Sequence, residues 1–446
     1  MYHSRQSGRV DLLAVHRSRP ERYPFLLQSV APHPSAGRYD VLFAFPGEAI
    51  EVDQGIGSTL DFFAQLDAAA TAAGPLTDAA LQTRGSLPFC GGWFLLLGYE
   101  AARYIEPSLQ LPSSPYRLPD ALAVRCNAAI IIDHVESVTH FISESAPAQL
   151  AMLEADCRHL VATFSVPSPP LSLVREEPDA RFLNGVERVL EYLKSGDIFQ
   201  VNLSRFWQAQ FSDVIDPAVL YERLRRSNPA PFAGLARWRG STVLSSSPER
   251  LMAIENGVAQ TRPIAGTHPR LANSEDDSRQ RQQLIGSLKE RAEHIMLIDL
   301  ERNDLGRVCA PGSVEVSELM TIESYAHVHH IVSNVCGRLR EGIGPGAALR
   351  AVFPGGTITG APKVRAMEII AELEAVGRGP YTGAMGYLSR CGRMDTNILI
   401  RTLICEDDRV SFRAGAGIVA DSQAANELAE TRAKARGLLL ALGAEL

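Results

Sequence analysis

The segment Phe353-Pro-Gly-Gly-Thr-Ile-Thr-Gly-Ala-Pro-Lys363 constrains this chain more than any other. Three glycines and two prolines in so short a stretch exclude a regular element, because glycine leaves the backbone unrestricted and proline removes an N–H donor. Immediately afterwards Val364, Met367, Ile370 and Leu373 recur at helical spacing, and Pro362 suits the first turn of a helix. A loop therefore feeds a helix N-terminus. Its unpaired N–H groups and partial positive charge, with Thr357, Thr359 and Lys363 around them, suit a small anion. The spacing is not GxxxxGK[ST], so a nucleotide P-loop is excluded, and a tight turn ahead of a core helix accounts for the same residues.

Composition matters here mainly for what it excludes. The 446 residues, 46% hydrophobic and 21% charged, suffice for one large core or two domains. Net charge is −7 with the basic residues scattered, so neither nucleic acid nor membrane is expected as a partner, and a small anionic substrate needs local positive groups. The seven cysteines (90, 126, 157, 309, 336, 391 and 405) form no CxxC pair, which argues against a disulfide framework or zinc ribbon and fits a reducing cytoplasm. No uncharged run reaches the about 20 residues of a membrane span, and the arginine-rich N-terminus lacks a signal-peptide core.

In chain order, strands are read at 23–29 and 39–45, a helix near 60–73, and further strands at 91–100, 122–132 and 138–142. The proline-rich stretch at 165–170 is the expected linker between an N-terminal region (1–165) and a C-terminal domain (175–446). Beyond it Phe182, Val186, Val189, Leu190 and Leu193 mark a helix that Gly196 stops. Strands at 242–246, 383–389, 398–405 and 410–414 then mix with long helices. With no βαβαβ rhythm, the fold class is α+β.

Two acidic pairs share one spacing. Glu290 and Glu293 fall on a helix expected over 284–300, Glu427 and Glu430 on one over 423–440, and each pair occupies a single helix face. Opposed, the two faces would make an oxygen cluster suited to Mg²⁺, which keeps several waters and commonly shares a substrate anion. Two solvated faces also account for the pattern, since Lys289 and Arg291 flank one pair and Lys434 stands four residues after Glu430. Arg401, read inside an apolar strand, requires an anionic partner, either a ligand or an internal carboxylate such as Asp395.

Residues 353–370 resemble the signature loop and helix of the chorismate-utilising enzymes, the family that holds the large components of anthranilate, aminodeoxychorismate and isochorismate synthases. The Pro354-Gly355-Gly356 form is similar to the aminodeoxychorismate branch. The resemblance implies two antiparallel β-sheets stacked on each other and flanked by helices. It also implies Glu293 and Glu430 as Mg²⁺ ligands, with Glu290 and Glu427 holding the waters of the ion. One substrate carboxylate would ride on the metal, and the other would meet Arg401, Lys434 and the backbone of Gly415, Ala416 and Gly417, with Tyr381, Gly266 and Thr357 nearby.

In Ser247-Pro-Glu-Arg250, Glu249 matches the general acid that lets a ring hydroxyl leave, and His330 matches a histidine bordering the substrate. Gln200 matches the glutamine of ammonia-using members, where water-using members carry a lysine base. Ala265 departs from the aminodeoxychorismate branch, which carries there a lysine that attacks the ring, and resembles anthranilate synthase. Leu26-Leu-Gln-Ser29 resembles an element lining a tryptophan pocket, with Gln28 in place of a glutamate.

The implied activity is amination of chorismate to 4-amino-4-deoxychorismate, feeding p-aminobenzoate and folate. Cys90 lies in Pro-Phe-Cys-Gly-Gly rather than GxCxG, so ammonia is expected from a separate glutamine amidotransferase subunit and aromatisation from another protein. The alternatives are 2-amination, as in anthranilate synthase, and a non-catalytic subunit that binds chorismate or tryptophan.

Overall fold

Runs of β-branched and aromatic residues pair into antiparallel ladders along the whole chain, and the strand Ala121–Asp133 joins them. The computed structural model describes residues 1–30, 37–53, 61–74, 76–158, 160, 168–271, 273–324 and 328–444. One edge of Ala121–Asp133 bonds Tyr39–Val52, while its other edge is shared between Val138–Ser143 and Gly92–Leu97. Two layers diverge from that point.

The first layer continues from Tyr39–Val52 through Phe25–Gln28, Phe232–Trp238, Ser241–Ser247, Thr402–Glu406 and Arg409–Ile418 to Gln200–Phe211. The second runs from Gly92–Leu97 through Ala384–Ser389, Met394–Ile398, Arg250–Glu255 and Val258–Thr261 to Val328–Arg338, which also pairs with Ile264–Pro269 and Glu315–Ser324. The layers pack face to face. Phe25 of the first stacks on Phe94 of the second with ring centroids 3.9 Å apart, and Phe43 meets Phe94 edge-on. Val243, Ala236 and Met385 fill the space around them.

Helices cover the outer faces. Leu12–Ser18, Pro217–Ser227 and Ala424–Leu442 lie over Trp207, Leu244 and Phe412, and Asp179–Ser195, Pro345–Val352 and Lys363–Glu374 bury a second apolar set. The expected α+β fold of stacked antiparallel sheets with external helices is therefore observed, with the layers continuous through one strand. Among the described residues no helix is long and apolar enough to cross a membrane.

Several boundaries differ for identifiable reasons. The single strand expected over 398–405 is broken into Met394–Ile398 and Thr402–Glu406, because Arg401 takes a left-handed backbone conformation with φ +53°. The helix expected over 284–300 is two helices. Ser274–Gly286 ends at Ser287, whose hydroxyl accepts from the Glu290 N–H at 3.3 Å and so caps Leu288–Gly306. The helix expected near 60–73 is Phe62–Ala72, capped by Asp61; Leu60 lies outside the described residues, as do 165–167 of the expected linker. The strand Tyr2–Ser7 and the Asp11-capped helix Leu12–Ser18 are additions at the N-terminus.

Burial of Phe94 between the layers gives a measurable consequence. Urea unfolding of Phe94→Ala is expected to show a loss of about 3–5 kcal/mol, against less than about 1 kcal/mol for Val135→Ala at an exposed site.

Candidate active site

Side chains from both layers and from two outer helices converge on one cavity of about 590 Å³. Gln200, Glu249, Gly266, Glu290, Glu293, His330, Thr357, Tyr381, Arg401, Gly415, Gly417, Glu427, Glu430 and Lys434 all line it. Ala416, between the two glycines, turns its side chain into the core and offers only backbone.

The two acidic helix faces meet at this cavity. Glu427 is buried and Glu290 and Glu293 partly so, while Glu430 stays exposed. Burial raises the carboxyls of Glu293 and Glu427 above the usual range, and the charges of Glu290 and Glu430 add to the effect. Among the described residues no three of these carboxylates come within 4.8 Å of one another, so they form no ready-made chelate. Partly desolvated and mutually repelling, their oxygens suit the ligand preference of a divalent cation such as Mg²⁺, which keeps several waters.

Gln200 touches this cluster directly. It projects from the strand Gln200–Phe211, and its amide N–H₂ donates to Glu293 Oε1 at 3.1 Å while its buried Oε1 has no partner among the described residues. On the adjacent strand Gly417 leaves space for it. A Cβ there would stand 2.5 Å from Gln200 Nε2.

Opposite lies Glu249. Its backbone N–H donates to Ser247 Oγ at 3.2 Å, and that hydroxyl bonds Ile398 O at 2.5 Å, which fixes the turn ahead of Arg250–Glu255. The carboxyl is buried and accepts from Thr357 Oγ1 at 2.6 Å. Burial pushes it up to about 7, with Thr357 and Lys434 pulling the other way. The signature loop thus orients an acid that holds its proton to near neutrality. His330 borders the same space. Because a carbonyl only accepts, the 3.2 Å contact with Gly266 O makes Nδ1 the donor, and burial lowers the imidazole to about 4, leaving it neutral.

Arg401 has no ion pair among the described residues. Asp395, the internal partner its sequence context offers, is bound instead by Arg250 at 2.9 and 3.0 Å. Burial lowers the Arg401 pKa, as expected for a desolvated cation without a counter-ion in contact. Lys434 donates to Gly415 O at 2.9 Å and pairs with Glu430 at 2.7 Å, so it ties the acidic helix to the glycine strand. An acid beside a desolvated guanidinium can hold and protonate a small anion, and a cation on the carboxylate cluster would let the same space take a dianion.

The profile of the chorismate binding enzyme family matches residues 27–440. The chain belongs to that family. An aminodeoxychorismate synthase component 1 from Klebsiella aerogenes is 41% identical over 428 residues, covering 94% of this chain and 93% of its own. An anthranilate synthase component I-like protein from Synechocystis is 43% identical over 357 residues, covering 80% and 73%. The crystal structure of anthranilate synthase component I from Streptococcus pneumoniae matches with a TM-score of 0.80 at 32% identity, covering 91% of this chain and 92% of that one. This is a chorismate-utilising enzyme.

Within this chorismate-binding fold the signature loop differs from its sequence expectation. Lys363 is not an anion contact: its Nζ lies 2.5 Å from Asp304 Oδ2 and 3.3 Å from Val352 O, because buried Asp304 needs a counter-charge. Thr359 donates internally to Gly355 O at 2.9 Å, so of these three residues only Thr357 reaches the cavity. Asn202, Lys289 and Arg413 are cavity residues beyond the sequence candidates. Arg413 carries the same signal as Arg401, a guanidinium in an apolar run, but is held by Ser204 at 3.1 Å and Glu374 at 3.2 Å. Buried Glu301 and Asp304 continue the helix face of Glu290 and Glu293, a stripe that helical spacing alone exposes. Leu27, Gln28 and Ser29 line a separate cavity of about 260 Å³, in which the Gln28 amide donates to Asp40 at 3.0 Å.

Gly417→Ala is expected to displace the Gln200 amide rather than the backbone. Chorismate turnover should fall at least about tenfold while urea stability changes by less than about 1 kcal/mol; wild-type turnover would sever the proposed link between Gly417 and Gln200.

Proposed function

We propose that this protein catalyses Mg²⁺-dependent amination of chorismate to 4-amino-4-deoxychorismate, for p-aminobenzoate and folate synthesis, with ammonia from a glutamine amidotransferase subunit. The observation that carries this reading is the presence in one cavity of Glu249, which holds its proton to about 7, and Arg401, a desolvated cation without an ion pair among the described residues. Chorismate offers a ring hydroxyl that must leave and two carboxylates that must be held.

Glu249 gives its proton to the departing hydroxyl, so that water rather than hydroxide leaves. Arg401 takes one substrate carboxylate, helped by Lys434 and the backbone at Gly415 and Gly417. Glu293 and Glu430 would hold Mg²⁺, and Glu290 and Glu427 would reach it through water. When bound, the ion supplies positive charge for the other carboxylate. Thr357 orients the acid, and neutral His330 and Tyr381 bound the ring site. Gln200 presents an amide, which cannot take a proton from water, whereas neutral ammonia is nucleophilic enough to add without a base. That favours nitrogen as the nucleophile. The component 1 designation of the Klebsiella relative supports a separate ammonia-supplying subunit.

One observation favours a second reading. Ala265 lines the cavity and cannot form a covalent bond to the ring, as direct 2-amination in the manner of anthranilate synthase would require no such bond. Incubation with chorismate, Mg²⁺ and ammonium separates the two. A product that becomes p-aminobenzoate only after a lyase is added supports 4-amination; fluorescent anthranilate without lyase establishes the second reading. Chorismate left unconsumed would make the chain a regulatory subunit.

Two measurements test individual roles. Since Glu249 acts protonated and its folded carboxyl is raised to about 7, kcat should fall as pH climbs through that value, and Glu249→Gln should abolish turnover without loss of stability. Glu430→Gln, at an exposed position, should raise the Mg²⁺ concentration for half-maximal rate at least about tenfold with an unchanged fold. Unaltered Mg²⁺ dependence would refute the metal assignment.

A further inference from the structure

Cys90 and Cys391, far apart in sequence, meet at the edge of the second layer. The ladder between Gly92–Leu97 and Ala384–Ser389 ends with Ser389 opposite Gly92, and the Arg390 N–H still donates to Gly91 O at 2.8 Å. There the chain reverses, with the Gly392 N–H donating to Ser389 O at 2.9 Å, and the turn brings Cys391 back toward Cys90.

The side chains converge as the backbone does. Cys90 Sγ and Cys391 Sγ each lie 3.3 Å from Ser389 Oγ. Cys90 is fully buried, whereas Cys391 is half-buried in the turn and open to a small oxidant. The neighbouring Cys90 thiol, against the opposing effect of burial, holds the Cys391 sulfur below the usual thiol range, with the Ser389 hydroxyl and the Arg84 charge acting in the same direction, while Cys90 itself is raised. Cys391 is thus the more acidic and more accessible sulfur, and Cys90 a shielded thiol beside it. Neither lines the chorismate cavity.

We propose that Cys90 and Cys391 form an oxidisable dithiol, a modification site that a hydroperoxide closes to an intrachain disulfide, pinning the turn after Ala384–Ser389 to the start of Gly92–Leu97. The Cys391 thiolate attacks the terminal peroxide oxygen; the O–O bond breaks, the alcohol leaves with a proton, and Cys391 becomes a sulfenic acid. The Cys90 sulfur then attacks the sulfenic sulfur. The S–S bond forms, the S–O bond breaks, and the hydroxyl leaves as water with the Cys90 proton. Two thiols lose two electrons and the peroxide gains them. The crosslink fixes a hairpin that carries Tyr387, Met394 and Asp395, which wall the smaller cavity.

The test uses the full chain, reduced, desalted, exposed to a few equivalents of hydrogen peroxide, alkylated and mapped by mass spectrometry. The expected result is a Cys90–Cys391 crosslinked peptide two hydrogens lighter than its reduced parts. Dithiothreitol should reverse it, and it should form at least about tenfold faster than oxidation of Cys336, which sits beside Glu315. The melting temperature should rise by about 2–5 °C on oxidation, with chorismate turnover within twofold of the reduced form. In Cys90→Ser a sulfenic-acid probe should trap Cys391, and in Cys391→Ser the crosslink should be lost. Both thiols remaining alkylatable in the wild-type chain after Cys336 has been oxidised, or Cys391 joined to a different cysteine, would overturn the proposal.

Discussion

A desolvated guanidinium, that of Arg401, with no ion pair among the described residues, is the constraint on which this structure turns. Nearly every other buried charge around the chorismate cavity is already answered. Arg378 is closed on Glu374 at 2.6 Å, Arg413 on the same carboxylate, Lys363 on Asp304 and Arg250 on Asp395. Each pairing takes one charge out of play, so that Arg401, which has no ion pair among the described residues, is left with charge that a ligand can balance. A cavity can select a dianion in this way without excess positive charge overall, and the chain is in fact net negative at −7.

The signature loop connects this electrostatic arrangement to the backbone. Thr357 holds the acid from one end of the loop, and Lys363 anchors the other end to Asp304 on the helix that carries Glu290 and Glu293. Through these two contacts the acid and half of the carboxylate cluster share one rigid support. The Glu430 helix is tied instead to the strand Arg409–Ile418, through Lys434 and Gly415.

Much of this was legible in the sequence, for reasons that vary by residue. The paired glutamates could be read because helical spacing fixes which side chains share a face, and the strands because alternation survives in runs such as Gln200–Phe211. Lys363 could not be placed, since its partner Asp304 is distant in sequence and a lysine beside glycine and threonine looks like an anion contact. Ser287 marks a helix start only once Leu288–Gly306 is known to be separate from its predecessor. The left-handed turn at Arg401 has no local signal, because neither glycine nor asparagine stands there. Register between distant strands is still less visible, which is why Cys90 and Cys391 look unrelated along the chain.

The strand Ala121–Asp133 has a consequence for how the molecule can be divided. Residues before position 168 supply Phe25–Gln28 to one layer and Gly92–Leu97 to the other, each an interior member. A fragment lacking them would keep Glu249, Glu290, Glu293, Glu427, Glu430 and Arg401, yet present two raw β-edges, along Phe232–Trp238 and Ala384–Ser389, as templates for self-association. The half that carries the proposed catalytic side chains therefore depends on the other half to cover its β-edges.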